Sequence, residues 1–186
     1  MRIVAGKLKG SLLFLPKNKN TRPLKDITRE SIFNLLKHSN KIFFKFEKST
    51  ILDLYSGTGS FGLECLSRES ELVYFVEKDK EAIKILEKNI KKLNQKQNTE
   101  IVASDSLNFI KDNERDIKFD LIFCDPPFKD DNINKLIELI SRKKLLKKDG
   151  LVILHRNKKI KEKLPNFLKI IDERIYGLSK IIFGKI

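Results

Sequence analysis

A doubly wound α/β sheet is the fold class that this sequence predicts, and three observations carry the prediction. Five short apolar runs alternate with amphipathic stretches of helical period from residue 50 onward, as in parallel sheets covered on both faces. Two further β-rich runs close the chain with no helix between them. A glycine-rich segment follows the first apolar run, where open α/β sheets bind ligands.

The chain opens with two extended runs, Arg2–Ala5 and Ser11–Leu15, joined through Gly6 and Gly10 and closed by Pro16, which predicts a β-hairpin. A polar loop, Asn18-Lys19-Asn20-Thr21-Arg22-Pro23, leads to Asp26, a cap for a helix carrying Ile32, Phe33, Leu35 and Leu36. The predicted sheet strands are Ile51–Leu54, Leu72–Val76, Glu100–Ala103, Leu121–Cys124 and Leu151–Leu154. Between them the clearest helices are 80–94, with Ala82, Ile83, Leu86, Ile90 and Leu93 on one face, and 131–146, with Ile133, Leu136, Ile137 and Ile140. Phe167–Tyr176 and Lys180–Phe183, parted by Gly177-Leu178-Ser179, should pair antiparallel.

At 186 residues the chain suits one sizeable core. No run reaches the ~18 apolar residues of a membrane span, and the start lacks the apolar stretch of a signal peptide, so a cytoplasmic protein with no membrane partner is expected. Cys65 and Cys124 lack metal-ligand spacing and are expected to be core residues, with no metal site. The net charge of +14 points to a polyanionic partner. An AT-rich genome would also raise lysine throughout, but the distribution is uneven. Residues 1–50 hold twelve basic against three acidic side chains, nine of the fourteen net charges, which favours a basic N-terminal face.

Asp53-Leu54-Tyr55-Ser56-Gly57-Thr58-Gly59-Ser60-Phe61-Gly62 contains G-x-G-x-x-G, with Glu77 about twenty residues on, a pattern shared with nicotinamide dinucleotide sites. Asp53 stands where such a strand would be apolar, and the length leaves no room for a substrate domain. A carboxylate there suits a cationic ligand, and S-adenosyl-L-methionine carries a sulfonium and an ammonium close together. Glu77 suits two ribose hydroxyls and Asp105 an adenine amino group. The candidate cofactor-binding set is Asp53, Tyr55, Gly57, Gly59, Glu77, Lys78, Asp105 and Ser106.

The fourth run enters Asp125-Pro126-Pro127-Phe128. Paired prolines make a stiff loop with free carbonyl oxygens. Asp125 and the carbonyl of Pro126 accept both N–H groups of an exocyclic base amine, and Phe128 offers a face for an extruded base. These four are the candidate catalytic residues. Cys124, in an apolar strand end without an activating base, is a core cysteine rather than a nucleophile.

At these residues the chain resembles the class I, Rossmann-like methyltransferases, Asp-Pro-Pro-Phe matching their amino-methyltransferase tetrapeptide. Arg2-Ile3-Val4-Ala5-Gly6-Lys7-Leu8-Lys9-Gly10, Arg22-Pro23, Thr28–Leu36 and Gly62–Arg68 resemble the RsmD family in particular. The chain departs from that family's wording at Tyr55-Ser56, Thr58 and Leu24-Lys25, without loss of a charged or glycine position.

The resemblance implies guanine-N2 methylation of 16S rRNA in an assembled or assembling small ribosomal subunit, by a monomer. It implies an RNA-contacting extension over 1–40, with Arg2, Lys7, Lys9, Arg22 and Arg29 as candidate RNA contacts, and a methyltransferase domain over 41–186. Two other readings compete: an adenine-N6 methyltransferase on DNA or RNA, and a non-catalytic ribosome-assembly RNA-binding factor. The basic N-terminal wording weighs against the first, and the intact acids and tetrapeptide against the second.

Overall fold

A computed structural model describes residues 1–16, 26–112, 117–127 and 130–186. In chain order the elements are α1 (Asp26–His38), β1 (Thr50–Leu54), α2 (Ser60–Ser67), β2 (Leu72–Glu77), α3 (Lys80–Lys92), β3 (Thr99–Ala103), α4 (Ser106–Asp112), β4 (Phe119–Cys124), α5 (Ile133–Arg142), β5 (Leu146–Asn157), β6 (Lys169–Tyr176) and β7 (Ser179–Lys185). They form one seven-stranded sheet in the order β3-β2-β1-β4-β5-β7-β6. The first five are parallel, and β7 enters antiparallel between β5 and β6. All seven predicted sheet strands are present, and the closing pair is antiparallel as expected.

Alternation along each strand divides the core in two. Ile51, Val73, Phe75, Leu121, Phe123, Leu151 and Ile153 face α1, α2 and α3 in one buried cluster. Leu52, Tyr74, Val76, Ile122, Cys124, Val152 and Leu154 face α4 and α5 in the other. On the first side Phe33 of α1 stacks on Phe61 of α2 at 5.0 Å, and Phe61 on Phe123 of β4 at 3.9 Å, which joins helix, helix and sheet in one aromatic column. α1 therefore packs into the same core as the sheet.

The predicted N-terminal hairpin is reduced to one antiparallel bridge, Arg2 with Leu12, around Gly6 and Gly10 at φ +83° and +84°. It keeps cross-strand backbone bonds, Ile3 N–H to Ser11 at 3.0 Å, Gly10 N–H to Ile3 at 2.9 Å and Leu13 N–H to Met1 at 3.1 Å, while outward-facing amides go to helix side chains. Glu64 of α2 accepts Val4 N–H at 2.8 Å and Ala5 N–H at 3.0 Å, and Asn89 of α3 accepts Phe14 N–H at 2.7 Å. Gly6 lies so close to α2 that a Cβ there would sit 1.9 Å from the Ser67 carbonyl oxygen. Asp26 is the first residue of α1 rather than a cap before it, and its carboxylate accepts from Arg29 at 3.0 Å. The predicted helix over 131–146 is shorter, because Lys144 takes a left-handed φ of +50° and Leu146 already belongs to β5.

Candidate active site at the carboxyl ends of the strands

Four carboxylates stand at the carboxyl ends of four adjacent strands, in the spatial order Asp105, Glu77, Asp53, Asp125. Glu77 ends β2, Asp53 precedes the last residue of β1, Asp125 follows β4, and Asp105 lies just beyond β3. Here the sheet brings together acids far apart in sequence.

The loop from β1 to α2 turns through left-handed φ at Tyr55 (+60°), Gly57 (+55°) and Gly59 (+84°). At Gly59 a Cβ would lie 2.3 Å from a Leu86 methyl, so both the turn and the close approach of α3 require glycine there. Glu77 ties this loop to β2: one carboxylate oxygen accepts Gly57 N–H at 2.7 Å, the other Lys78 and Asp79 N–H, both at 2.9 Å. Asp53 is buried and accepts Gly62 N–H at 3.0 Å. Burial pushes its carboxyl well above the ordinary range; the Gly62 amide opposes this, and the charges of Asp125 and Glu77 add to it.

Asp105 behaves oppositely. Partial burial pushes it up, but the Lys78 ammonium at 3.1 Å and the Leu107 amide at 3.0 Å outweigh that and hold it below the usual carboxylate range. Lys78 is thus turned to Asp105, and Ser106 is buried at the start of α4. Ser56, in the glycine loop, keeps a buried hydroxyl with no hydrogen-bond partner among the described residues.

Asp125 is half-buried, Pro126 buried and Pro127 exposed. Phe128 lies outside the described residues. The Pro127 carbonyl accepts Asp130 N–H at 2.8 Å. Asp130 anchors the loop beyond: its carboxylate accepts the Tyr55 hydroxyl at 3.3 Å, and its carbonyl accepts the Arg156 guanidinium at 3.0 Å. Arg156, almost wholly buried, also holds Glu162 with Nε and Nη2. The loop after β4 is therefore braced on one side by the glycine loop and on the other by β5. Cys124 is inside the sheet, and burial, with Asp53 and Asp125 nearby, pushes its thiol up, away from the thiolate a nucleophile needs.

The basic candidates separate. Arg2, Lys7 and Lys9 are exposed, Lys7 pairing with Glu69 at 2.5 Å. Lys7 N–H bonds Ser67, at the end of α2 remote from the glycine loop. Arg22 lies outside the described residues. Arg29 must be corrected: its side chain is 0% exposed, and it donates to the Arg2 carbonyl at 2.6 Å and to Asp26. Helical spacing turns it inward beside Ile32 and Phe33, so it anchors the N-terminal segment to α1 and is not available to a phosphate.

The family model described as conserved hypothetical protein 95 matches residues 1–185. The chain belongs to this family, the RsmD methyltransferases. It is 30% identical over 179 residues to ribosomal RNA small subunit methyltransferase D of Haemophilus influenzae, covering 96% of this chain and 90% of that one. The Buchnera aphidicola (Acyrthosiphon pisum) protein of the same name is 33% identical over 157 residues, 84% of this chain and 78% of the relative. Among solved structures, the Escherichia coli methyltransferase yhhF superposes with a TM-score of 0.84 at 25% identity, over 99% of this chain and 96% of that one.

Within this RsmD-family site, sequence reasoning missed the bracing residues Asp130 and Arg156, His155 with its Nδ1 2.7 Å from Asp125 Oδ1, and the two helix side chains that hold the N-terminus, Glu64 and Asn89. Their contacts across the fold join residues far apart in the chain, 26 positions for Arg156 to Asp130 and 75 for Phe14 to Asn89, so no local period reveals them. The one available signal was polarity at a position due to be buried, such as Glu64 within Gly62–Leu66 and His155 after Leu151–Leu154.

Proposed function

We propose that this chain transfers a methyl group from S-adenosyl-L-methionine to the exocyclic N2 of a guanine in 16S rRNA of the small ribosomal subunit. The observation that carries the reading is the position of Asp125 and its Pro-Pro loop beside the row formed by Asp53, Glu77 and Asp105.

The donor set fits the cofactor. Three carboxylates and the glycine loop surround a site of negative potential, in which burial and neighbouring charge make a lone Asp53 carboxylate costly and a cation beside it favourable. Each Glu77 oxygen has two acceptor sites, so Oε2 can take a ribose hydroxyl while keeping Gly57. Asp105 suits an amino donor, and the buried Ser56 hydroxyl is free for a polar ligand. Bound there, S-adenosyl-L-methionine supplies an electrophilic methyl group. Asp125 and the Pro126 carbonyl accept the two N–H groups of the target amine, aim its lone pair at that methyl, and leave Asp125 or water to take the released proton. Phe128, next in sequence after this loop, is the proposed stacking residue for the base.

RNA as the substrate is supported by the names of the relatives and by exposed cations. Beyond Arg2, Lys7 and Lys9, the segment following β5 exposes Lys158, Lys159, Lys161 and Lys163 directly after His155 and Arg156, which touch the catalytic loop. Its one acid, Glu162, is matched by Arg156. Incubating the protein with labelled cofactor and small subunits lacking the modification, then digesting to nucleosides for mass measurement, tests the reading. N2-methylguanosine is the expected product. N6-methyladenosine would move the target to adenine, and no transfer would favour a non-catalytic RNA-binding factor.

A further inference from the structure

The catalytic end of β4 carries a polar chain that the reaction just described does not use. Asp125 Oδ1 lies 2.7 Å from His155 Nδ1, and His155 Nε2 lies 2.8 Å from Ser179 Oγ. The three residues come from neighbouring strands: Asp125 follows β4, His155 lies near the end of β5, and Ser179 opens β7. The pairings Cys124 with Leu154 and Asn157 with Ser179 fix their relative height. His155 is only 6% exposed, at a position in β5 that follows four buried aliphatic residues.

We propose that His155 is a positioning residue for Asp125, holding one carboxylate oxygen so that the other faces the target amine. An ionised carboxylate only accepts hydrogen bonds, so the bond to Asp125 requires the proton on Nδ1. A neutral imidazole then offers a lone pair at Nε2, and the Ser179 hydroxyl donates to it, which selects that tautomer. The last torsion of an aspartate is broad and weakly restricted. Pinning Oδ1 converts a rotating carboxylate into one with a defined acceptor direction, and misaligned attack geometry costs rate steeply.

The described charges next along β5 and β7 are engaged elsewhere. Arg156, next along β5, is turned to Glu162 and Asp130, and Lys180, next to Ser179 on β7, pairs with Glu173 of β6. Asp53 on β1 feels Asp125 as a like charge, which favours a donor rather than another acceptor on the far side of Asp125.

The inference rests on the reading that Asp125 accepts the target amine, and the test separates the two. His155→Leu, His155→Asn and Ser179→Ala are made in the wild type, and His155→Leu also with Asp125→Ala. Single-turnover methyl transfer to saturating unmethylated small subunits, subunit KM, cofactor affinity by calorimetry and Tm are measured for each. His155→Leu should lower the rate at least tenfold with KM and cofactor affinity within about twofold of wild type. His155→Asn, whose amide N–H replaces Nδ1–H, should recover most of the rate, and Ser179→Ala should lose a few-fold. With Asp125→Ala the His155→Leu change should cost nothing more. A wild-type rate for His155→Leu, no recovery with Asn, or full additivity with Asp125→Ala would overturn the role of His155. Should His155→Leu not fold, the Asn and Ser179→Ala variants decide, an unaltered rate in Ser179→Ala counting against the proposal. If Asp125→Ala alone turns over normally, the reading of Asp125 fails and the inference with it.

Discussion

Glu64 and Val4, sixty residues apart, are joined by a hydrogen bond of 2.8 Å from the Val4 amide to a carboxylate that is 0% exposed. The same carboxylate takes Ala5 N–H and the Arg68 guanidinium, so α2 and the N-terminal segment form one rigid body. Since α2 begins at the glycine loop, whatever docks on the N-terminus is registered to the proposed cofactor site. Glu64→Ala strands two amides and a buried cation, and should cost about 3–5 kcal/mol. Denaturant unfolding would measure it, and a loss under about 1 kcal/mol would show that the segment is held by apolar packing alone.

Asp53, the proposed partner of the cofactor's cation, carries a stability cost. Its carboxyl titrates well above the ordinary range because burial, opposed by Gly62 and helped by Asp125 and Glu77, disfavours the anion. A raised folded-state value in an acid means that folding favours the protonated form. The stability cost is therefore absent below the unfolded value, about 3.9, grows as pH rises toward the raised value, and is constant above it. Asp53→Asn, which keeps an oxygen for Gly62, should raise Tm at pH 7 and give no gain near pH 3.5. It should also weaken cofactor binding by about ten- to a hundredfold, the worth of a charged hydrogen-bond partner. Equal Tm differences at both pH values would refute the burial account.

Glu77→Ala removes the proposed ribose acceptor and the tie to Gly57 together. Calorimetry should show cofactor binding weaker by ~1.5–3 kcal/mol. Unchanged affinity would take Glu77 out of the site.

Asp125→Ala should leave cofactor affinity within about threefold while turnover falls by roughly a hundredfold or more, as for loss of one polar group aimed at the reacting centre. Parallel losses in affinity and turnover would mean that Asp125 serves the cofactor instead.

Arg29 and the exposed lysines should respond to different measurements. Arg29→Ala, which removes a buried guanidinium bonded to the Arg2 carbonyl and to the exposed Asp26, should lower Tm and leave the salt dependence of RNA binding alone. Reversing Lys158, Lys159, Lys161 and Lys163 should flatten the slope of log affinity against log salt by about 0.7–0.9 for each phosphate no longer neutralised. Reversing Lys7 and Lys9, at the end of α2 remote from the glycine loop, should do so less. An Arg29→Ala effect on the salt slope would return that residue to the RNA face.

The sheet was readable because its signals are local. Leu72–Val76 and Leu151–Leu154 announce strands buried on both faces, Ala82 through Leu93 announce an amphipathic helix, and turn residues separate them. The row of acids was readable for the same reason: strand boundaries alone place Asp53, Glu77, Asp105 and Asp125 at the carboxyl ends of neighbouring strands. What depended on the tertiary structure is which polar groups meet across the sheet. Arg29 looks like an exposed cation until α1 packs and turns it inward, and the outward amides of Val4 and Ala5 in the N-terminal hairpin find their acceptor only when α2 brings Glu64 to them. His155 shows locally only as a polar residue after four aliphatic ones, since its partners Asp125 and Ser179 reach it through strand order. Periodicity is a property of neighbours in the chain, whereas a buried hydrogen bond is decided by whichever donor and acceptor the fold leaves facing each other without water.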